Sequence, residues 1–323
     1  MKAIGFKKFG SAEVLEEIDM DIPSPKDKQV LVKIQATTID NVDIIIRKGL
    51  YKTKLNNPAI TGRDLVGYVV DLGKDVQEFS KGDLVWTNSA GFDGRMGASA
   101  EYVVVDANRL YKIPKGVDPN KVLASVHSSS TANLVCKNIM KLNENSTILI
   151  EGAGGNVGRK LVQCAHYMGA KVLTSSAEKD FDFLKKLGAD KVFSYKEEKI
   201  EELKEVSKEI PIDHIIDTSG KIDLAHNIEF LGLNGQVTII TAPKSTNFNP
   251  LDFYTKGKKI VGFVLSRARV DDLKTNANDL NQYFKKGLLL EDKIEYHTFK
   301  DIPKLHSLME TKGAHGVKYV IRP

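Results

Sequence analysis

Residues Glu151 to Ser176 read EGAGGNVGRKLVQCAHYMGAKVLTSS. Gly152, Gly155 and Gly158 follow the apolar run TILIE and open an amphipathic helix whose apolar positions are Val157, Leu161, Val162 and Ala165. Glycines so placed permit a tight turn, let backbone N–H groups approach a pyrophosphate, and allow close packing of helix on strand. The helix N-terminus then favours negative charge. The spacing is G-x-x-G-x-x-G, with Val157 where the last glycine of a G-x-G-x-x-G begun at Gly152 would fall. A plain tight turn has the same signature in isolation, so the flanking sequence must decide.

From Thr147 onward apolar runs alternate with helical patterns. They are TILIEG, a helix over 156–168, KVLTSS, a helix over 178–187, KVFSY, a charged helix over 197–209, DHIIDTS, a helix over 222–231, QVTIITAP and KIVGFVL. Six strands with mostly helical crossovers describe an α/β fold, a doubly wound parallel six-stranded Rossmann sheet. In that context the glycine turn predicts a dinucleotide site. The second strand ends Thr174-Ser175-Ser176, where an NAD site carries an acid for the ribose 2′-hydroxyl. Hydroxyls can instead donate to a 2′-phosphate, and Lys179 can pair with it as a point charge. NADPH is the expected cofactor; Glu178 is the one residue that argues the other way.

Residues 1 to about 115 are short alternating runs broken by Gly, Pro and Asp, as in QVLVKIQAT, LVGYVVDLG and AEYVVVD, a mostly antiparallel β region. The character changes near residues 118–121. Beyond Leu265 come a helix over 271–286, a β-like KIEYHTF, a helix over 301–312 and a closing strand GVKYVIRP. The chain of 323 residues, 41% hydrophobic and 28% charged, is long enough for two cores. A net charge of +5 with interleaved lysines and acids makes solvated faces rather than a nucleic-acid patch. Cys136 and Cys164 suggest neither a disulfide framework nor a zinc cluster, so a reducing cytoplasm is expected. No apolar run reaches the ~20 residues of a membrane span.

Taken together, the motifs resemble the medium-chain dehydrogenase/reductase superfamily, and within it the zinc-independent quinone oxidoreductase group. They are DNVDIIIRKGLY (40–51), PAITGRDLVGYV (58–69), FSKGDLVW (79–86), GASAEYVVV (97–105), GAGGNVG (152–158), KKLGADKVFSY (185–195) and HGVKYVIRP (315–323). The resemblance spans essentially the whole chain. It implies a nucleotide domain inserted in a split, GroES-like catalytic domain: residues 1–120 catalytic, 121–266 NADPH-binding, 267–323 returning to the catalytic part. It also implies NADPH in the cleft between them and hydride transfer to quinones or α,β-unsaturated carbonyls. By motif match Ser175, Ser176, Lys179 and Tyr195 surround the 2′-phosphate. Gly152, Gly155, Asn156, Val157, Thr131 and Thr218 hold the dinucleotide, and Thr241, Ala242 and Phe263-Val264-Leu265 frame the nicotinamide. A homodimer is expected through KKIVGFVL, an apolar edge strand.

The departures concern the metal. Zinc-dependent relatives carry a Cys in the first motif, a Gly-His-Glu and a later Cys, where this chain has Asp40, Gly62-Arg63-Asp64 and His127. A guanidinium has no lone pair to offer a cation, so no metal is expected, and an Asp40–Arg63 ion pair would fill the space. Quinone reductases usually have Asn at the place of Asp40 and often Tyr at that of Ile45, while Tyr51 matches. Asp40, Tyr51, Arg63 and His127 are the catalytic candidates, with Tyr51, Arg63 or a backbone N–H for the acceptor oxygen and Tyr51, His127 or water for the proton. Blander readings stand beside these. His127 would be a hydrogen-bonded structural histidine, Ser128–Ser130 and Thr131 a helix cap, Asp43 and Arg47 an (i, i+4) ion pair, and Trp86 core. The alternatives in function are an enoyl-thioester or alkenal reductase, or a non-catalytic NADPH-binding sensor.

Overall fold

The computed structural model describes residues 1–196, 200–243, 245–291, 293–313 and 316–323. The chain divides into two compact units, residues 1–127 with 268–323, and residues 128–267. Residues 197–199, the start of the helix expected over 197–209, lie outside the described residues, as does His315 of the last motif.

The second unit holds a six-stranded parallel sheet. Its order from edge to edge is Lys191–Ser194, Lys171–Ser176, Thr147–Glu151, Ile212–Asp217, Leu231–Ile239 and Lys259–Gly262. All five residues of Thr147–Glu151 are buried. A central parallel strand is covered on both faces, which is why it reads as an unbroken apolar run instead of an alternating one. Leu149, Leu173, Ile215 and Val237, one from each of the four inner strands, join one core cluster. The chain runs outward in opposite directions from Thr147–Glu151, so the carboxyl end of that strand is the topological switch point, where open α/β sheets bind ligands. The glycine turn lies there.

In the first unit Gln29–Thr38 is the organising strand, pairing antiparallel with Leu65–Leu72, Tyr102–Asp106 and Lys318–Arg322. Ile294–Thr298 runs parallel to Lys318–Arg322 at one edge. The C-terminal strand thereby lies next to the strand that leads into Asp40. Trp86 is fully buried and packs against Tyr111 with the rings tilted and their centres 4.7 Å apart.

Three local expectations are corrected. Ser128–Ser130 and Thr131 cap nothing, because they are interior to the helix Pro119–Leu134. That helix starts at Pro119, whose missing N–H costs nothing at a first turn, and the Asp118 carboxylate accepts from Asn120 N at 2.8 Å. Asp43 and Arg47 do not pair. The Asp43 carboxylate turns back to accept from Asp40 N at 2.8 Å, and Arg47 pairs with Glu310. The last strand is shorter than the run KIVGFVL, because it ends at Gly262 and a 3₁₀ turn begins at Leu265. No helix among the described residues is long and apolar enough to cross a membrane.

Candidate functional site

The second unit forms a cavity at the glycine turn. Gly152 has φ +68°, and the Thr218 hydroxyl shares its proton between the carbonyls of Glu151 and Gly152, at 3.0 Å each. Thr218 therefore pins the turn. A Cβ on Gly158 would lie 2.6 Å from Gly152 O and 2.7 Å from Ala153 Cα, so this glycine is the close-packing position. Gly152, Gly155, Ser175, Ser176 and Tyr195 line a cavity of about 270 Å³. Asp180 and Lys221 line it too, although neither was among the residues expected from the sequence. Lys221 follows Asp217-Thr218-Ser219-Gly220 at the carboxyl end of a central strand, a place the switch-point rule could have flagged.

The other expected cofactor residues are distributed less tightly. Lys179 is exposed and off the cavity wall, while Glu178 pairs with Lys196 at 3.4 Å. Asn156 and Val157 begin the helix Asn156–Tyr167, where Asn156 Oδ1 accepts from Arg159 Nη2 at 2.6 Å. Thr241 and Ala242 are exposed just beyond Leu231–Ile239, and a Cβ on Gly220 would meet Ala242 O at 2.9 Å. Phe263 is half-buried, Val264 exposed and Leu265 buried, and Thr131 is buried in its helix.

Beneath the turn, Glu151 and Asp217 are register partners on adjacent strands. Asp217 accepts from Ser219 N at 2.7 Å, Ser219 Oγ at 2.6 Å and Ile222 N at 3.3 Å. Glu151 is buried and its Oε2 has no hydrogen-bond partner among the described residues. Glu151 is therefore the carboxyl that takes a proton. Burial, then the neighbouring Asp217, pushes it up to about 8 from 4.5. The folded protein binds this proton more tightly than the unfolded chain, so the stabilisation is complete below pH 4.5 and is lost as pH rises toward 8. Thermal melts between pH 5 and 9 are expected to show a falling Tm in the wild type and a flatter profile in Glu151→Gln. An unchanged slope in the variant would place the titrating group elsewhere.

The first unit supplies a buried charge cluster. Asp40 caps the helix Asn41–Arg47 directly after the strand Gln29–Thr38. Its Oδ1 lies 2.5 Å from Lys318 Nζ, and its Oδ2 accepts from Thr38 Oγ1 at 3.3 Å. The same hydroxyl is 3.2 Å from Asp64 Oδ2. His127 Nδ1 is 3.1 Å from Asp64 Oδ1 and 3.8 Å from Asp40 Oδ2. The expected Asp40–Arg63 ion pair is therefore corrected: Lys318, which the sequence analysis passed over, takes Asp40. Antiparallel pairing of Val320 with Thr38 carries Lys318 to the site, a contact across 278 positions that no local pattern announces.

Electrostatics follow from this packing. Burial works to raise Asp40, but Lys318 and His127 outweigh it and hold the carboxyl well below its usual range. Burial works to lower His127, and Asp40 and Asp64 overcome it, so the imidazole is raised. Burial pushes Asp64 up to about 6 and Asp43 up to about 7. Arg63 is wholly buried, with its guanidinium 5.2 Å from the Phe92 ring centre. Tyr51 stacks on the same ring at 5.5 Å, and its buried hydroxyl has no hydrogen-bond partner among the described residues. Imidazole, phenol and guanidinium thus belong to one unit around Phe92 and Asp64.

Comparison with known proteins matches residues 26–115 to the alcohol dehydrogenase GroES-like domain and residues 156–281 to the family described as zinc-binding dehydrogenase. The chain is 32% identical to quinone oxidoreductase of Sus scrofa, covering 98% of this chain and 96% of that protein. It is 28% identical to quinone oxidoreductase of Homo sapiens over the same shares. Escherichia coli quinone oxidoreductase, solved in complex with NADPH, shares its fold with a TM-score of 0.88 at 22% identity over the full length of both chains.

The zinc implied by one of those descriptions can be tested against the residues. Ligand atoms of Asp40, Asp64 and His127 lie within 4.8 Å of one another, which is compact enough for a metal. The buried Lys318 ammonium, however, already sits on Asp40, and the charge of Arg63 acts on the same carboxylates. A divalent ion there would face two fixed positive charges in a low-dielectric interior. The residues as they stand do not fit a metal.

Proposed function

Because this chain belongs to the medium-chain dehydrogenase/reductase superfamily, in its quinone oxidoreductase group, we propose that it is an NADPH-dependent, zinc-independent reductase of quinones or α,β-unsaturated carbonyls. The observation that carries the cofactor choice is the end of the strand Lys171–Ser176. Ser175 and Ser176 line the cavity there, the acid Glu178 is held by Lys196, and the acid on the cavity wall, Asp180, lies against Gly154 of the turn. A bound nicotinamide would supply the hydride. The Gly152–Gly158 turn would hold the pyrophosphate on backbone N–H groups, with Thr218 fixing the turn. Lys221 would add positive charge at the cavity wall, and Lys179 a second, exposed one.

Reduction of the acceptor also needs a donor for the oxygen that gains negative charge, and a proton. Tyr51 has an unspent hydroxyl for the first role. His127, held through Nδ1 by Asp64 and biased toward imidazolium by two carboxylates, suits the second. The wholly buried Arg63 balances charge instead of touching the acceptor. A panel of quinones, alkenals and enoyl thioesters, followed by NADPH absorbance, separates this reading from an alkenal or enoyl-thioester reductase. NADPH binding without turnover on any of them would favour a sensor.

Two further results are expected. Losing one charge-assisted phosphate contact costs about 1.5–3 kcal/mol. Lys221→Ala should therefore weaken NADPH binding at least roughly tenfold, with a smaller effect for Lys179→Ala. Tighter binding of NADH than of NADPH by the wild type would refute the cofactor assignment. We also propose a homodimer through the edge strand Lys259–Gly262, whose free edge can pair with a second copy. Light scattering at micromolar concentration should give twice 35.8 kDa, and a monomer would refute it. The two free cysteines are both buried, in keeping with the cytoplasm as the proposed compartment.

A further inference from the structure

We propose that the Lys318 ammonium, bound to Asp40, is a built-in replacement for a metal ion at the ligand set Asp40, Asp64 and His127. The inference rests on the metal-free reading above and gives it a physical cause.

Three observations carry it. First, the ligand atoms have the spacing of a metal site. With bonds of ~2.0–2.1 Å, adjacent ligands on a tetrahedron lie roughly 3.3 Å apart. His127 Nδ1 stands 3.1 Å from Asp64 Oδ1 and 3.8 Å from Asp40 Oδ2. Second, Thr38 Oγ1 reaches both carboxylates, at 3.3 and 3.2 Å, as an outer group that orients ligands would. Third, the cation in contact with this set is Lys318 Nζ, 2.5 Å from Asp40 Oδ1, with a side chain only 4% exposed. An ammonium so deeply buried is retained only where opposite charge surrounds it. The carboxylates acting on it are Asp40, Asp64 and Asp43.

The replacement has a consequence. Arg63 has Asp43 as its foremost counter-charge, and two carboxylates and a neutral imidazole match the charge of one divalent ion, so removing the tethered cation should open the site to a free one. An ammonium within ~4 Å of a divalent ion costs it more than ~100-fold in affinity at protein dielectric. Lys318→Met keeps the length of the side chain and deletes the charge.

The test titrates wild type, Lys318→Met and Lys318→Met/His127→Ala with Zn²⁺ by calorimetry and with Co²⁺ by its visible ligand-field bands. Wild type should take up no stoichiometric metal. Lys318→Met should bind one equivalent at least ~100-fold more tightly, with the spectrum of a four-coordinate ion, and its Tm should rise with zinc. The added His127→Ala should remove that gain. Stoichiometric zinc in the wild type would overturn both this proposal and the metal-free reading. A folded Lys318→Met with no gain in affinity would overturn the proposal alone. If Lys318→Met fails to fold without metal, refolding with zinc is the expected rescue. A chain that stays unfolded with zinc present counts against the proposal, because the ion should satisfy the same carboxylates.

Discussion

Arg63→Met is expected to lower the stability of the protein by up to about 3–5 kcal/mol, the usual cost of leaving buried charge uncompensated. Arg63 is wholly buried, and burial alone would depress its charge. Asp43, Asp64 and Asp40, in that order, keep the guanidinium charged. Methionine fills much of the volume over Phe92 but removes a charge that holds Asp43 down. Asp43, already raised to about 7 by burial and by Asp40, then takes up a proton near neutral pH, and the loss grows as pH rises and the carboxyl must ionise. Urea unfolding of the single variant and of Arg63→Met/Asp43→Asn, at pH 6 and pH 9, measures this. The double variant should recover part of the loss at the higher pH, where Asp43 would otherwise ionise unpaired. Activity per folded molecule should persist in both. A single variant with stability intact and turnover abolished would move Arg63 into the catalytic machinery instead.

Gly158→Val should be the most damaging change in the nucleotide unit. Any Cβ at this position meets Gly152 O at 2.6 Å and Ala153 Cα at 2.7 Å, and these are backbone atoms that cannot rotate away. The helix Asn156–Tyr167 must then lift from the turn that it closes, and overpacking of this kind costs typically ~1–3 kcal/mol or more. Nucleotide affinity should fall by at least roughly tenfold, since the backbone donors at the helix start shift with it. Calorimetric titration with NADPH, alongside a thermal melt, checks both. Unchanged affinity in a folded variant would mean that the turn is not the cofactor cradle.

These two residues also show what could be read in advance. Gly158 was legible because strand, turn and helix are contiguous, and the glycine spacing encodes a contact six residues away. The parallel sheet was legible for a similar reason: a strand such as Thr147–Glu151, buried on both faces, leaves an unbroken apolar run in the sequence. The charge cluster was only half legible. Asp40, Arg63 and His127 stood out as departures from the zinc-dependent pattern, Arg63 being the one that has no lone pair for a metal, but their partners did not. Lys318 arrives by strand pairing from the far end of the chain, and Asp43 abandons Arg47 to cap its own helix. Pair choice in such a cluster is decided by three-dimensional register, and sequence spacing carries little of it. In the cavity, Lys221 follows the strand Ile212–Asp217 and only the assembled sheet brings it to Gly152 and Ser176, whereas Asp180 lies four residues beyond Ser176 and was open to a local reading.

On the function proposed above, NADPH held at the glycine turn passes hydride to a quinone or conjugated carbonyl without a metal. The most direct measurement is single-turnover oxidation of enzyme-bound NADPH by a simple quinone, followed by absorbance after exhaustive dialysis against a chelator. Stoichiometric loss of NADPH on mixing is expected, slowed in Tyr51→Phe and His127→Ala and indifferent to added zinc. Loss of turnover on chelation and its return with zinc would contradict it.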